Sequence, residues 1–376
     1  MRLSTAAALR NLAAQKILPR GCARAMCPRA ALITCLRCSR KDVIMMKWLK
    51  VAGAVGSPLL AATAFHLARR GEGSLRMRLA ASVIRSRGKP LARLDEFRAA
   101  VERRKPPSPA PLPKKLAGRF TVRDQRISTS RVVTLTPKSS PIRCTIIYLH
   151  GGAYVNDLVK PHWDIIAALS SAAGATMVVP IYPLAPERTN EDAFALLEAV
   201  YRQVLDVTSA SNIVLAGDSA GGGLALALAV ELRDKALPLP ARLVLFAPWL
   251  DLTLADPAAR EVESSDVMLT VDALRLCGKW WAGMADARAP RFSPLYGDLK
   301  GLPPIDIYQG SQDLLVADAR SFVTKAQAAG NQISYREYPG GFHVFMAATF
   351  VPEAKDVFRR VGLTLSGIDE GDHLPK

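Results

Sequence analysis

The stretch around Ser219 constrains this chain more than any other. Asn212-Ile213-Val214-Leu215-Ala216 is short, apolar and rich in β-branched residues, as a buried strand requires, and residues 222–232 are rich in Ala and Leu, as a helix requires. Between them stands Gly217-Asp218-Ser219-Ala220-Gly221. A chain that passes from strand to helix this abruptly needs small residues two before and two after the serine, and it carries that serine on a strained backbone. The five-residue pattern alone is common. The strand before it and the helix after it make it a nucleophile elbow.

A serine hydroxyl becomes a nucleophile only when a base takes its proton and a third group orients that base. The chain order that goes with this elbow is Ser, then acid, then His. Of the five histidines only His343 and His373 follow Ser219. His373 lies in a polar tail with nothing to pack it, whereas His343 sits in Gly341-Phe342-His343-Val344-Phe345, just past the strand-like residues 332–338. His343 is therefore the expected base. The expected acid is Asp313, delivered by a Gly-Ser turn at the end of the apolar run that starts at Ile305. Asp318 is the competitor, with a role at the start of the following helix as its ordinary reading. Upstream, a strand from Cys144 ends in His150-Gly151-Gly152-Ala153-Tyr154. Glycines there let backbone N–H groups approach a reacting carbonyl, so Gly151, Gly152 and Ala220 are the expected oxyanion donors. His150 is expected to hold the glycine turn by side-chain hydrogen bonds.

With these residues in place, the chain resembles the hormone-sensitive-lipase group of α/β hydrolases, and within it the bacterial esterases and acetyl-hydrolases. The resemblance runs from about residue 75 to 365 and rests on five motifs in order: His150-Gly151-Gly152-Ala153-Tyr154, Tyr182-Pro183-Leu184-Ala185-Pro186-Glu187, Gly217-Asp218-Ser219-Ala220-Gly221-Gly222, Asp313-Leu314-Leu315 and Gly341-Phe342-His343-Val344-Phe345. It implies Ser219 as nucleophile, Asp313 as acid, His343 as base, and Gly151, Gly152 and Ala220 as oxyanion donors. It also implies a wall-supporting role for Glu187 and a lid that includes the N-terminal helices. Two departures stand out. Ala153 replaces a frequent third glycine, which narrows the room near the acyl carbonyl. Pro183 replaces the usual arginine, which removes ionic support from that position.

The fold class expected is α/β: an α/β-hydrolase fold with a mostly parallel sheet, helices on both faces and a helical lid. Strands are expected at 131–135, 145–149, 176–180, 213–216, 243–247, 305–309 and 333–338, and helices at 163–173, 192–205, 220–234, 318–329 and 353–365. Residues 252–304 are far too long for a crossover and form the expected lid insertion, with an amphipathic helix carrying Trp280 and Trp281 that either lines an acyl pocket or binds the lid together. Active residues then fall at the carboxyl ends of strands.

Net charge is +17 over 376 residues, yet it is not spread evenly. Residues 1–115 hold 25 Lys and Arg against 5 Asp and Glu, a net of +20, and the remainder holds 25 against 28, a net of −3. Basicity confined to one end, with no interleaved aromatics, excludes a nucleic-acid-binding body. Residues 1–70 read as a basic leader. Its segment 51–68 is apolar, flanked by Lys47, Lys50, Arg69 and Arg70, and just long enough to span a bilayer, although Gly53, Gly56 and Pro58 temper it. Ala62-Thr63-Ala64 has the pattern of a cleavage site, so anchor and cleaved targeting segment both stay open, with membrane association preferred over a cytoplasmic or organellar location. Residues 71–115 hold two helical stretches (75–87 and 91–105) and a proline-rich linker, and 116–376 form the catalytic domain. Cys22, Cys27, Cys35 and Cys38 lack the partners of a metal site, and Cys144 and Cys277 read as packing residues. The function expected is a cofactor- and metal-free serine carboxylesterase acting on short- to medium-chain, acetyl-type esters. Lactone or steroid-ester hydrolysis by the same triad, or a non-catalytic binding member of the fold, are the alternatives, and the oligomeric state is left open.

Overall fold

The computed structural model describes residues 71–89 and 93–368. The leader 1–70 with its segment 51–68 and four cysteines, and His373, lie outside the described residues. Eight strands form one sheet: β1 Phe120–Ile127, β2 Ser130–Pro137, β3 Cys144–Leu149, β4 Ala175–Pro180, β5 Ile213–Asp218, β6 Arg242–Phe246, β7 Ile305–Gly310 and β8 Ile333–Tyr338, in the order β1-β2-β4-β3-β5-β6-β7-β8. β2 runs antiparallel to β1 and β4, and every other pairing is parallel. The central strands β3 and β5 are buried along their whole length, which is why they read as continuous apolar runs. β1 escapes sequence reading because it is the edge strand, charged and mostly exposed, and it is held by a full-length register with β2.

The helices are α1 Leu75–Ser86, α2 Leu94–Arg103, α3 Lys114–Ala117, α4 Lys160–Ala173, α5 Asn190–Leu205, α6 Ala220–Asp234, α7 Ala258–Glu263, α8 Val271–Ala282, α9 Val316–Ala328 and α10 Pro352–Leu365. Apolar residues of α5, α6, α8 and α9 share one core on one face of the sheet, and those of α1, α4 and α10 share a second core on the other. The expected layers are thus present, with α7 and α8 between β6 and β7. Two short elements were not anticipated: α7, and α3, which begins in the last two residues of the expected linker and runs past it. The linker itself is strapped to the body, since Ala110 donates to Leu158 O at 2.7 Å and accepts from Trp163 Nε1 at 2.8 Å.

The register brings the strand ends together. Leu149 pairs with Gly217, Asp218 with Phe246 and Gly310 with Tyr338, so the loops after β3, β5, β7 and β8 emerge along one rim.

Candidate active site

Ser219 sits between β5 and α6 with φ 54° and ψ −123°, a conformation an L-residue holds only when its surroundings impose it. The imposing contacts are close ones: a Cβ on Gly217 would lie 2.4 Å from Gly221 O, and one on Gly221 would lie 2.1 Å from Leu149 O. Backbone bonds from Ser219 N to Phe246 O and from Trp249 N to Ser219 O, both 2.9 Å, pin the turn to the end of β6.

The side chains expected to act on Ser219 meet it. His343 Nε2 lies 2.9 Å from Ser219 Oγ, and His343 Nδ1 lies 2.8 Å from Asp313 Oδ2. A carboxylate only accepts, so Nδ1 carries the ring proton and Nε2 faces the serine as an acceptor. All three residues are buried. Burial by itself pulls the His343 pKa down. The Asp313 carboxylate, by charge and hydrogen bond, with Asp266 and Asp218 behind it, overrides this and raises the pKa above the ordinary histidine value. Asp313 Oδ1 in turn accepts from Leu315 N at 3.0 Å. Two backbone bonds, Ser311 N to Tyr338 O at 3.0 Å and Gln312 N to Gly341 O at 2.9 Å, lash the acid turn to the histidine loop.

Asp318 is not the partner of His343. It lies in the first turn of α9, buried, and neither of its carboxylate oxygens has a hydrogen-bond partner among the described residues. Burial, with Asp251 and Asp256 nearby, pushes its carboxyl up to about 8. A carboxylate that sequence reading missed is Asp266, between α7 and α8. Its Oδ1 accepts from Met268 N and Leu269 N, and its Oδ2 accepts from Leu314 N at 3.0 Å, which ties the α7–α8 connection to the acid turn.

Gly151 departs from the expected oxyanion set. Its N–H donates to Asp218 Oδ1 at 3.0 Å and is therefore already occupied. Asp218 is buried beside the nucleophile, and its Oδ1 also accepts from Tyr148 Oη at 2.5 Å while its Oδ2 stands 3.4 Å from His162 Nε2. Burial pushes this carboxyl up, but His162, the Tyr148 hydroxyl and the Gly151 amide outweigh burial and hold it below the usual value. Asp218 thus clamps the elbow to the glycine turn. The variable position of a Gly-x-Ser-x-Gly pattern gives no hint of this; a carboxylate there, bound to be buried by the turn, is the one available signal. Past the clamp, Gly152, Ala153 and Tyr154 take φ values of 128°, 55° and 62°. The N–H groups of Gly152 and Ala153, and that of Ala220 at the first position of α6, reach no acceptor among the described residues.

The wall around this turn is tightly held. His150 Nδ1 donates to Gly151 O at 2.7 Å, and burial together with His162 drives its pKa down to about 3, so the ring is neutral and structural. Tyr182 donates to His150 O at 2.6 Å and stacks on its ring at 4.4 Å. Where Pro183 removes one source of ionic support, Arg104 at the end of α2 supplies another, bidentate to Glu187 at 2.9 and 3.1 Å. Trp281 stacks on Tyr154 at 4.2 Å and Trp280 meets Phe97 at 6.0 Å, so both tryptophans join elements together.

Known proteins share this architecture. The sequence model of the alpha/beta hydrolase fold matches residues 146–347, more than half of the chain. An acetyl-hydrolase of Streptomyces hygroscopicus is 38% identical over 203 residues, covering 54% of this chain and 68% of that protein. An esterase of Acinetobacter venetianus is 32% identical over 227 residues, covering 60% and 75%. The crystal structure of an esterase from the bacterial hormone-sensitive lipase family superposes with a TM-score of 0.68 at 28% identity, covering 78% of this chain and 97% of that one. With a strained serine elbow at the rim of a mostly parallel sheet and a family model spanning most of that sheet, the chain belongs to the α/β-hydrolase fold family, on the side of its hormone-sensitive-lipase group.

Proposed function

We propose that the chain is a serine carboxylesterase that cleaves short- to medium-chain esters, acetyl esters among them, through an acyl-enzyme on Ser219. The observation that carries this reading is the unbroken run of short contacts from Ser219 Oγ through His343 to Asp313. Its relatives include proteins named acetyl-hydrolase and esterase.

In this reading His343 Nε2 takes the Ser219 proton as Oγ bonds to the ester carbonyl carbon. The negative charge that gathers on the carbonyl oxygen is met by the amides of Gly152, Ala153 and Ala220, with Ala153 in the place first assigned to Gly151. His343 then gives its proton to the departing alkoxide as the carbon–oxygen bond breaks. Water enters and its oxygen bonds to the acyl carbon as His343 takes one of its protons; the second collapse breaks the bond to Ser219 Oγ, which regains a proton from His343, and releases the acid. Asp313 keeps the ring in the productive tautomer throughout.

The lid is read as two pieces, residues 71–115 and 252–304, supported by the contact of Phe97 on α2 with Trp280 on α8. Among the described residues no helix is long and apolar enough to cross a membrane. Membrane association is assigned instead to the leader through residues 51–68, and carbonate extraction of the full-length chain tests it. The catalytic reading is tested by turnover of p-nitrophenyl acetate and butyrate. Activity abolished by Ser219→Ala is expected; absence of turnover in folded protein, or turnover indifferent to that change, would sink it.

A further inference from the structure

Helix α1 has two apolar faces and only one of them is used. Met77 and Ala81 enter the core shared with α4 and α10. At the helical spacing of i, i+4 and i+8, Leu75, Leu79 and Val83 lie on the opposite side, 47%, 44% and 39% exposed. Phe350, 58% exposed, is brought to the first turn of the helix, where Arg76 Nη1 lies 3.5 Å from its carbonyl oxygen. Residues 75–89 contain Arg76, Arg78, Arg85, Arg87 and Lys89 and no acidic residue. At about 100° per residue, Arg76 falls on one border of the stripe and Arg78 and Arg85 on the other. Arg85 bonds to the carbonyl oxygen of Ser265, a neutral acceptor that leaves its charge uncancelled. Of the carboxylates at the N-terminal end of the helix, Glu353 is taken up by Ser74 N and Oγ, and Glu72 accepts from Ser311 Oγ.

We propose that this outer face of α1, with Phe350 beside it, is a docking surface for an anionic lipid bilayer. A stripe of exposed aliphatic side chains bordered by Arg76 on one side and Arg85 on the other suits a water–lipid boundary: the aliphatics enter the acyl region while guanidinium groups reach phosphates on either side. The charge is complementary to an anionic leaflet, and the position along the chain agrees. The chain preceding the described residues ends at Arg70, five residues before Leu75, and includes the apolar segment 51–68. The surface goes beyond the role given to that segment: it would set the orientation of the body, and with it the lid, against the lipid whether or not residues 51–68 enter the bilayer.

The test uses the full chain carrying Leu79→Trp, mixed with phosphatidylcholine vesicles with and without phosphatidylserine, some brominated in the acyl chains. An unchanged far-ultraviolet circular dichroism spectrum and thermal melt certify the fold, and Val83→Trp is the second reporter should Leu79→Trp disturb it. The expected result, relative to the parent protein, is a blue shift and bromine quenching of the introduced tryptophan with phosphatidylserine vesicles. The added substitutions Arg76→Gln and Arg85→Gln should weaken the response about fivefold each. A water-exposed spectrum in every mixture, even when the chain sediments with the vesicles, would overturn the proposal and leave residues 51–68 as the attachment. A blue shift without lipid would also overturn it, because residues 1–70 or a second copy would then cover the stripe. The same spectral change with a soluble polyanionic protein but not with vesicles would reassign the face to a protein partner. Fluorescence does not read turnover, so these outcomes are separate from the fate of the esterase reading.

Discussion

Ser219, His343 and Asp313 are joined side chain to side chain, whereas the glycine turn opposite them is built from backbone amides and held from behind by Asp218. The first half is visible in residue types: a histidine and an aspartate at strand ends after the serine leave few alternatives. The second half depends on which N–H groups remain unpaired, and here Gly151 is claimed by Asp218 while Gly152 and Ala153 are not. A motif names the turn that holds the donors. Only a full account of backbone partners says which amides are donors to a substrate.

This contrast can be broken from either side. Removing the base should have the largest effect: His343→Ala is expected to lower kcat by about 10⁴–10⁶, leaving the residual rate that bound, oriented substrate and the oxyanion donors can still support. Steady-state turnover of p-nitrophenyl butyrate measures it. Asp218→Ala frees the Gly151 amide and the Tyr148 hydroxyl and loosens the turn. It should cost about as much as one oxyanion donor, roughly 10²–10³ in kcat, with KM little changed. Asp218→Asn, which keeps an oxygen for Gly151, should recover part of the loss; equal damage from both substitutions would mean that charge, not placement, is what Asp218 supplies.

The pH dependence sharpens the relay half. Asp313, Asp266 and Asp218 outweigh burial and favour the charged imidazole, so the neutral base is gained only as pH rises through a pKa above the usual 6.5. The acid limb of kcat/KM should lie above that value. Asp266→Asn should move it to lower pH, since one of the carboxylates favouring the imidazolium is removed. No movement would limit Asp266 to holding the Leu314 turn. The raised pKa also carries a stability sign: the His343–Asp313 pair stabilises the fold most below pH 6.5 and less as pH climbs through the folded pKa.

The smallest effect lies away from the reaction. Asp318, pushed up to about 8 from 3.8, binds its proton more tightly in the folded chain. Stability attributable to it therefore falls as pH rises from about 4 to 8. Asp318→Asn should raise Tm at pH 8 and leave it unchanged near pH 4, by no more than about 2–4 °C for each kcal/mol recovered. Thermal melts at the two pH values decide it.

Much of the framework was legible because burial on both faces forces β3 and β5 into uninterrupted apolar runs, and because the Ala- and Leu-rich residues after Ser219 can only be a helix in such a context. The edge strand β1 was not legible, since an exposed strand needs no apolar period and owes its shape to β2. Helix α3 was hidden by the prolines around it.

Residue identity and order were enough to nominate Ser219, Asp313 and His343, because the chemistry of a nucleophile, an acid and a base resides in side chains that the sequence spells out. Tertiary structure alone decided that Gly151 is spent on Asp218, that Asp266 reaches from the α7–α8 connection to Leu314, and that Arg104 supports Glu187 from the end of α2. Each of these is a contact between segments remote in the chain, and a hydrogen bond depends on where two groups arrive, which no local pattern specifies.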